Sequence, residues 1–139
     1  MIRRVIIEDI PQIVQVEDAC FPVPWPDFLF KAHLNNPGFV VYEREKEILG
    51  YAIIGDSQGK AHLQNIAVHP DFRRQGIGTD LLEWCIDLVK LYGYHEIVLE
   101  VREKNTGSHK FYIDMDFEIR GTVQDYYLDD NAIVMERRI

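Results

Sequence analysis

Long apolar runs, cysteines and surplus positive charge are all scarce in this chain, and each shortage removes a class of protein. No stretch approaches the roughly 18 consecutive apolar residues of a membrane-spanning helix, so no membrane partner is expected. The opening Met1-Ile-Arg-Arg-Val5 carries no signal-peptide core, and a cytoplasmic location is the expectation. Cys20 and Cys85 are the only cysteines, too few for a disulfide framework. The five histidines (His33, His62, His69, His95 and His109) show no paired spacing on a helix, so no metal is expected. No Gly-x-Ser-x-Gly elbow points to a serine hydrolase. A formal net charge of −8 disfavours general nucleic-acid binding. It suits a cationic acceptor, such as a protonated amine or a basic peptide, and is also an ordinary balance for a soluble protein.

What is present reads as one domain over residues 1–139, with 47% hydrophobic and 27% charged residues and no internal repeat. Arg3–Ile7 reads as a short strand. Asp9 and Gln12 mark a helix start with Pro11 in the first turn, and Ile10, Ile13 and Val14 give that helix an apolar face to about Ala19. Pro22, Pro24 and Pro26 forbid a regular element between Phe21 and Pro26. That stiff loop, with its aromatic side chains, is either the wall of a groove or a connection docked on the core. Asp27 reads as the cap of a second short helix, roughly Phe28 to Asn35.

Phe39–Tyr42 and Ile48–Ile54 form a hairpin around a somewhat long charged tip, Glu43–Glu47. Asp56–Gly59 turns into the strand Ala61–Val68. Three successive strands indicate an antiparallel meander. In the next helix Ile77, Leu81, Cys85, Leu88 and Tyr92 recur at helical spacing, and Gly93 is a C-terminal stop. Glu96–Val101 is a strand, Thr106–Asp114 a helix capped by Asn105, and Phe117–Arg120 and Ala132–Arg137 are strands. The fold class is therefore α+β: a mixed, mostly antiparallel sheet with helices on both faces. The helical crossover makes the Ala61 and Glu96 strands the one parallel pair.

The chain is organised around Asn65–Thr79. Arg73-Arg74-Gln75-Gly76-Ile77-Gly78-Thr79 opens a helix directly after a buried strand. A helix start offers unpaired N–H groups and the positive end of a dipole, two glycines clear space, and two arginines add charge. This is a cradle for a phosphate or pyrophosphate, or else only a tight strand–helix turn. A P-loop is excluded because Thr79-Asp80 follows Gly78 in place of Lys-Ser/Thr. A dinucleotide fold wants a third glycine where Leu81 stands, although Glu100 lies where a ribose-binding acid would be.

The third possibility is the Arg/Gln-x-x-Gly-x-Gly/Ala signature, and here the chain resembles the GNAT acetyltransferase superfamily. Leu99-Glu100-Val101-Arg102, Asn105 and Phe111-Tyr112 through Phe117 extend the resemblance to RimI-type ribosomal-protein-alanine and protein N-terminal acetyltransferases, over roughly Phe21–Met135. One departure is Asp116, where the family usually has glycine; it should strain or reshape that turn without touching the chemistry.

The resemblance implies acetyl-coenzyme A as co-substrate, held at the Arg73–Thr79 turn. Ile66, Ala67 and Val68 can meet its pantetheine arm through their backbone if the sheet splays there. Asn105 can bond the pantetheine amides or simply cap its helix. Glu100, at a strand end, can take the proton of an amine, and the family implies that role for the matching glutamate; an ion-paired surface residue is the plainer alternative. A phenol stays protonated at neutral pH and can donate to a leaving thiolate, and the family assigns the tyrosine matching Tyr112 as this acid; packing against the sheet is the alternative. Tyr126 and Tyr127 can join Phe21, Pro22 and Trp25 in enclosing the first residues of a peptide. The expected reaction is direct acetyl transfer to an amine. The foremost acceptor is the N-terminal α-amino group of a protein, a ribosomal protein among the candidates. The alternatives are a small amine, a lysine side chain, or a non-catalytic acyl-coenzyme A-binding module.

Overall fold

The computed structural model describes residues 1–139. Along the chain lie β1 (Ile2–Arg4), a 3-10 turn (Ile7–Asp9), α1 (Ile10–Cys20), α2 (Asp27–Ala32), β2 (Phe39–Arg44), β3 (Glu47–Ser57) and β4 (Lys60–Val68). A second 3-10 turn (Pro70–Phe72), α3 (Ile77–Leu91), β5 (Glu96–Arg102), α4 (Thr106–Asp114), β6 (Glu118–Val123) and β7 (Ala132–Arg138) complete it. The strands form one seven-stranded sheet in the order β1-β2-β3-β4-β5-β7-β6, antiparallel except for β4 beside β5. No helix is long and apolar enough to cross a membrane.

Period-two alternation divides the sheet's apolar residues between two cores. Val40, Ala52, Ile54, Leu63, Leu99 and their neighbours pack beneath α3 and α4; Phe39, Val41, Tyr51 and Ile53 pack beneath α1 and α2. The helical stripe of α3 is buried as its spacing requires, with Ile77, Leu81, Leu82, Cys85, Ile86 and Val89 all in the first core.

Two irregularities in the meander place the site. At β4, pairing with β3 passes from Ile53↔Asn65 to Ile54↔Leu63, so Gln64 is an extra, bulged residue. Side-chain parity flips there. Ala61 and Leu63 face the α3 side before the bulge, and Ile66 and Val68 face it afterwards, while Ala67 turns toward α1. The second irregularity is the brevity of the parallel pairing, which covers only Ala61–Leu63 against Ile97–Leu99. Beyond it β4 stays with β3 and β5 stays with β7 as far as Arg102↔Ala132. The two central strands therefore part into a wedge, leaving the β5-facing edge of Gln64–Val68 without a strand partner.

Several local expectations are corrected. The first strand ends at Arg4, because Ile7–Asp9 turns as a 3-10 helix. Asp9 does not cap α1: its carboxylate is taken by Arg3 at 2.8 Å and by the Ile6 N–H at 2.9 Å, and Gln12 instead accepts from the Ile48 N–H at 3.0 Å. The cap position of α2 is Pro26, Asp27 pairs with Lys31 one turn on, and the helix ends at Ala32, short of Asn35. The first hairpin closes on two residues, Glu45 and Lys46, both at positive φ, and is tight where a longer tip was expected. The central helix begins at Ile77, with Gly76 at its cap position and Arg73–Gln75 in the turn before it. Asp116, in the family's glycine position, adopts φ 68°. The turn keeps the left-handed geometry that glycine would suit and the aspartate carries the strain.

Candidate active site

The wedge opens as a cleft of about 140 Å³ between Leu63–Ile66 of β4 and Leu99–Arg102 of β5. Glu100 is the first β5 residue past the paired segment. Leu99 and Val101 point into the first core, so alternation sends Glu100 to the opposite face. His62 Nε2 lies 2.8 Å from Glu100 Oε1, and the Tyr126 hydroxyl donates to the same oxygen at 3.2 Å. The hydrogen bond from His62 holds the Glu100 carboxyl below the usual carboxylate range, against the opposing effect of burial; the His62 charge and Tyr126 add to the lowering. Glu100 is thus an ionised acceptor with both donors on one oxygen.

Tyr112, on α4, lines the cleft from the other side. Its ring is buried against Phe111 and Phe117, at centroid distances of 5.2 and 5.7 Å. Packing and access coexist here: the hydroxyl makes no hydrogen bond within the protein, yet no buried polar side-chain atom is left unpartnered, so it opens to the cleft. Burial pushes its acidity far from neutrality, with the neighbouring Tyr127 and Cys85 adding to the effect, so the phenol keeps its proton. Asn105 lines the same cleft while accepting from the Ser108 N–H at 3.2 Å as the cap of α4.

Phe21, Trp25 and Tyr127 complete the wall. Pro22 is exposed and does not line it. Tyr126 is half exposed and reaches the site through its bond to Glu100. Arg102 stacks on the Tyr127 ring at 4.3 Å and pairs with Asp129, fastening the β6–β7 loop over the cleft.

At the glycine-rich turn, Gly76 stands at φ 81°, where an L side chain would be strained, and nothing lies within 4 Å of where its Cβ would be. Gly78 has no such backbone need. A Cβ there would make ordinary contacts, 3.6 Å to Phe111 and 3.7 Å to Val68. Packing does not require glycine at 78, so its smallness points to room at the helix start. Ile77 belongs to the core and can offer only its backbone; Thr79 is half-buried beside it. Arg73 is exposed but already engaged, Nε donating to the Val68 carbonyl at 3.2 Å and Nη2 to Cys20 Sγ at 3.3 Å. Gln75 accepts from Arg44 at 2.9 Å. Arg74 is exposed, which leaves it and the first N–H groups of α3 to meet an anion. Ile66 lines the cleft on the unpartnered β4 edge, with Ala67 and Val68 continuing that edge toward the turn.

Neither thiol is a nucleophile in waiting. Burial raises Cys20 despite Arg73 beside it, and pushes Cys85 up to about 12. Sequence reasoning missed His62 and Glu17. Parallel pairing of β4 with β5 together with strand alternation could have brought His62 beside Glu100. The signal for Glu17 is a lone carboxylate on the apolar side of α1, where it is 2% exposed.

The splayed mixed sheet with a glycine-opened helix at its wedge is the architecture of an N-acyltransferase. The chain belongs to the GNAT acetyltransferase family, whose pattern matches residues 10–117. It is an acetyl-coenzyme A-dependent N-acetyltransferase. The ribosomal protein bS18-alanine N-acetyltransferase of Haemophilus ducreyi is 30% identical, with 97% of each chain covered. An N-alpha-acetyltransferase of Sulfolobus acidocaldarius is 31% identical over 96% of this chain and 89% of its own. The crystal structure of the Escherichia coli ribosomal-protein-S18-alanine N-acetyltransferase superposes with a TM-score of 0.88 at 28% identity, covering 100% of this chain and 93% of that one.

Proposed function

We propose that this enzyme acetylates the N-terminal α-amino group of a protein, in one direct step. The observation that carries the reading is that Glu100, Tyr112, Phe21, Trp25 and Tyr127 all line one small cleft at the strand wedge. A cleft of this size admits the first residue of a chain, and relatives named for N-terminal acetylation support the same acceptor.

The residues present fit acetyl-coenzyme A. Arg74 and the first N–H groups of α3 would hold the pyrophosphate, in the open space at Gly76 and Gly78. The unpaired edge at Ile66–Val68, with Asn105 opposite, would take the pantetheine arm as an added strand. Bound there, the coenzyme supplies a thioester acetyl group and a thiolate leaving group.

Glu100 faces the acceptor as an ionised carboxylate and takes the amine proton, directly or through a water, as the C–N bond forms. With His62 and Tyr126 both on Oε1, Oε2 is the oxygen left for that proton. Tyr112 gives its proton to the sulfur as the C–S bond breaks, and the unpartnered hydroxyl suits that role. Between turnovers Glu100 gives its proton to solvent and the Tyr112 phenol is reprotonated from it, which closes the proton balance. No acetyl-enzyme is needed, since neither cysteine is activated.

Release of free coenzyme A thiol tests the reading with three acceptor sets: peptides with free N-termini, ribosomal-protein N-termini among them; lysine peptides with blocked N-termini; and small amines. Turnover confined to the first set is expected. Turnover only with blocked lysine peptides or small amines would replace the acceptor, and coenzyme binding with no turnover at all would make the fold a binding module.

A further inference from the structure

Glu17 is a buried carboxylate with no cation beside it. Its Oε1 accepts from the Tyr51 hydroxyl and, at 3.0 Å, from Asn65 Nδ2, and its Oε2 accepts from the Trp25 N–H at 2.9 Å. Those donors come from three separate segments: the middle of β3, the residue just past the bulge in β4, and the proline-rich loop after α1. Every neighbour at this site donates, and the two carboxyl oxygens of Glu17 accept from all three. Apolar packing holds the loop's aromatics, Trp25 on Phe30 and His33 at ring distances of 5.4 and 5.8 Å and Phe21 against the second core, and Glu17 adds the polar tie to the Trp25 backbone. Pro22, Pro24 and Pro26 have no N–H to give, and Val23 and Pro24 are exposed.

We infer that Glu17 is a positioning residue for the acceptor: it clamps the Trp25 segment to the bulged strand and so sets the wall against which the acceptor's first residue docks. The inference rests on the proposed acceptor cleft, since Glu17, Trp25 and Asn65 line that cleft together. Glu17 bonds to the acceptor wall at Trp25 and to Asn65 just before the free β4 edge, and makes no bond to the glycine-rich turn. The α3 start is held by a different set of contacts, Arg73 to Val68 and Cys20, and Gln75 to Arg44. Loosening the clamp should therefore act on acceptor binding and spare coenzyme binding.

Glu17→Gln and Glu17→Ala separate a clamp from a charge. A glutamine can keep most of the network: its oxygen still accepts from Trp25, its amide donates to the Tyr51 oxygen and, once that side chain turns its own amide over, to Asn65, and only the Tyr51 O–H loses its acceptor. Alanine leaves all three donors without a partner. For Glu17→Ala an acceptor KM raised about tenfold or more is expected, with turnover at saturation falling less and the calorimetric affinity for coenzyme A unchanged. Glu17→Gln should stay within about threefold of the parent KM. The acceptor is whichever of the three sets above the parent enzyme uses, so failure of the α-amino reading is seen on the parent and failure of this inference on the variants.

Amide exchange at Trp25, read by NMR, needs no acceptor and should be protected in the parent and in Glu17→Gln but fast in Glu17→Ala. If Glu17→Ala does not fold, Tyr51→Phe removes one donor and should raise the acceptor KM by about two- to threefold, again with coenzyme affinity kept. An unchanged acceptor KM in Glu17→Ala, a loss in Glu17→Gln equal to that in Glu17→Ala, or a matching loss of coenzyme affinity would each overturn the clamp.

Discussion

Replacing Glu100 with glutamine probes the proposed proton acceptor without emptying its site. Glutamine keeps the side chain's length, and its oxygen can still accept from His62 and Tyr126, now 2.8 and 3.2 Å from Oε1. What it loses is the lone pair on the second oxygen, the one the protein leaves free. General-base catalysis is worth about 100- to 10,000-fold. Two features place Glu100 at or below the low end. Its carboxyl is held below the usual range by His62, so it is a weak base for an ammonium ion. An α-amino group has a pKa near 8, so about a tenth of the acceptor is already neutral at pH 7 and about nine-tenths at pH 9.

Glu100→Gln should therefore turn over roughly tenfold or more slowly near pH 7, with a deficit that shrinks toward pH 9. Because the depressed Glu100 is ionised across the whole interval, the rise of the parent's profile reports the amine and not the carboxyl. Thiol release followed from pH 6 to 9.5 for both proteins decides the matter. Parallel profiles of similar height would falsify the assignment of Glu100 as base and leave it a partner of His62 only.

Three further outcomes are expected. Tyr112→Phe removes a hydroxyl that has no bond within the protein, so turnover should fall by about tenfold or more while melting temperature and coenzyme affinity hold; a lower melting temperature with normal turnover would reassign Tyr112 to packing. Gly78→Val should stay folded by circular dichroism, its Cβ making ordinary contacts, yet bind coenzyme A at least about tenfold more weakly by calorimetry, as its branches fill the space at the helix start; unchanged affinity would remove the phosphate cradle. Asp116→Gly relieves a left-handed residue and should stabilise the protein by about 1 kcal/mol in urea unfolding with activity unchanged; a loss of stability would show that the aspartate side chain matters more than the strain.

Residues whose roles are local were legible in the chain by itself. The α3 stripe, Gly93 as a helix stop at φ 89°, Asn105 as a cap, the meander and the parallel crossover are set by spacing, side-chain entropy and hydrogen bonds between near neighbours, all written in the sequence. The glycine turn, Glu100 and Tyr112 could be picked out as candidates because their motifs are short and contiguous. Other features depend on what stands opposite. Asp9 was read as a cap because cap and ion-pair partner look alike until Arg3 is seen across from it. His62 had no spacing rule to mark it, since its partner lies 38 residues away on a neighbouring strand. Glu17 broke the apolar pattern of its helix, but only the converging Tyr51, Asn65 and Trp25 donors give that break a reason. The wedge belongs to the same class. It exists because Gln64 bulges and because β4 and β5 each keep their outer partner past Leu63 and Leu99, and that competition between strand pairings is settled only when the whole sheet has formed.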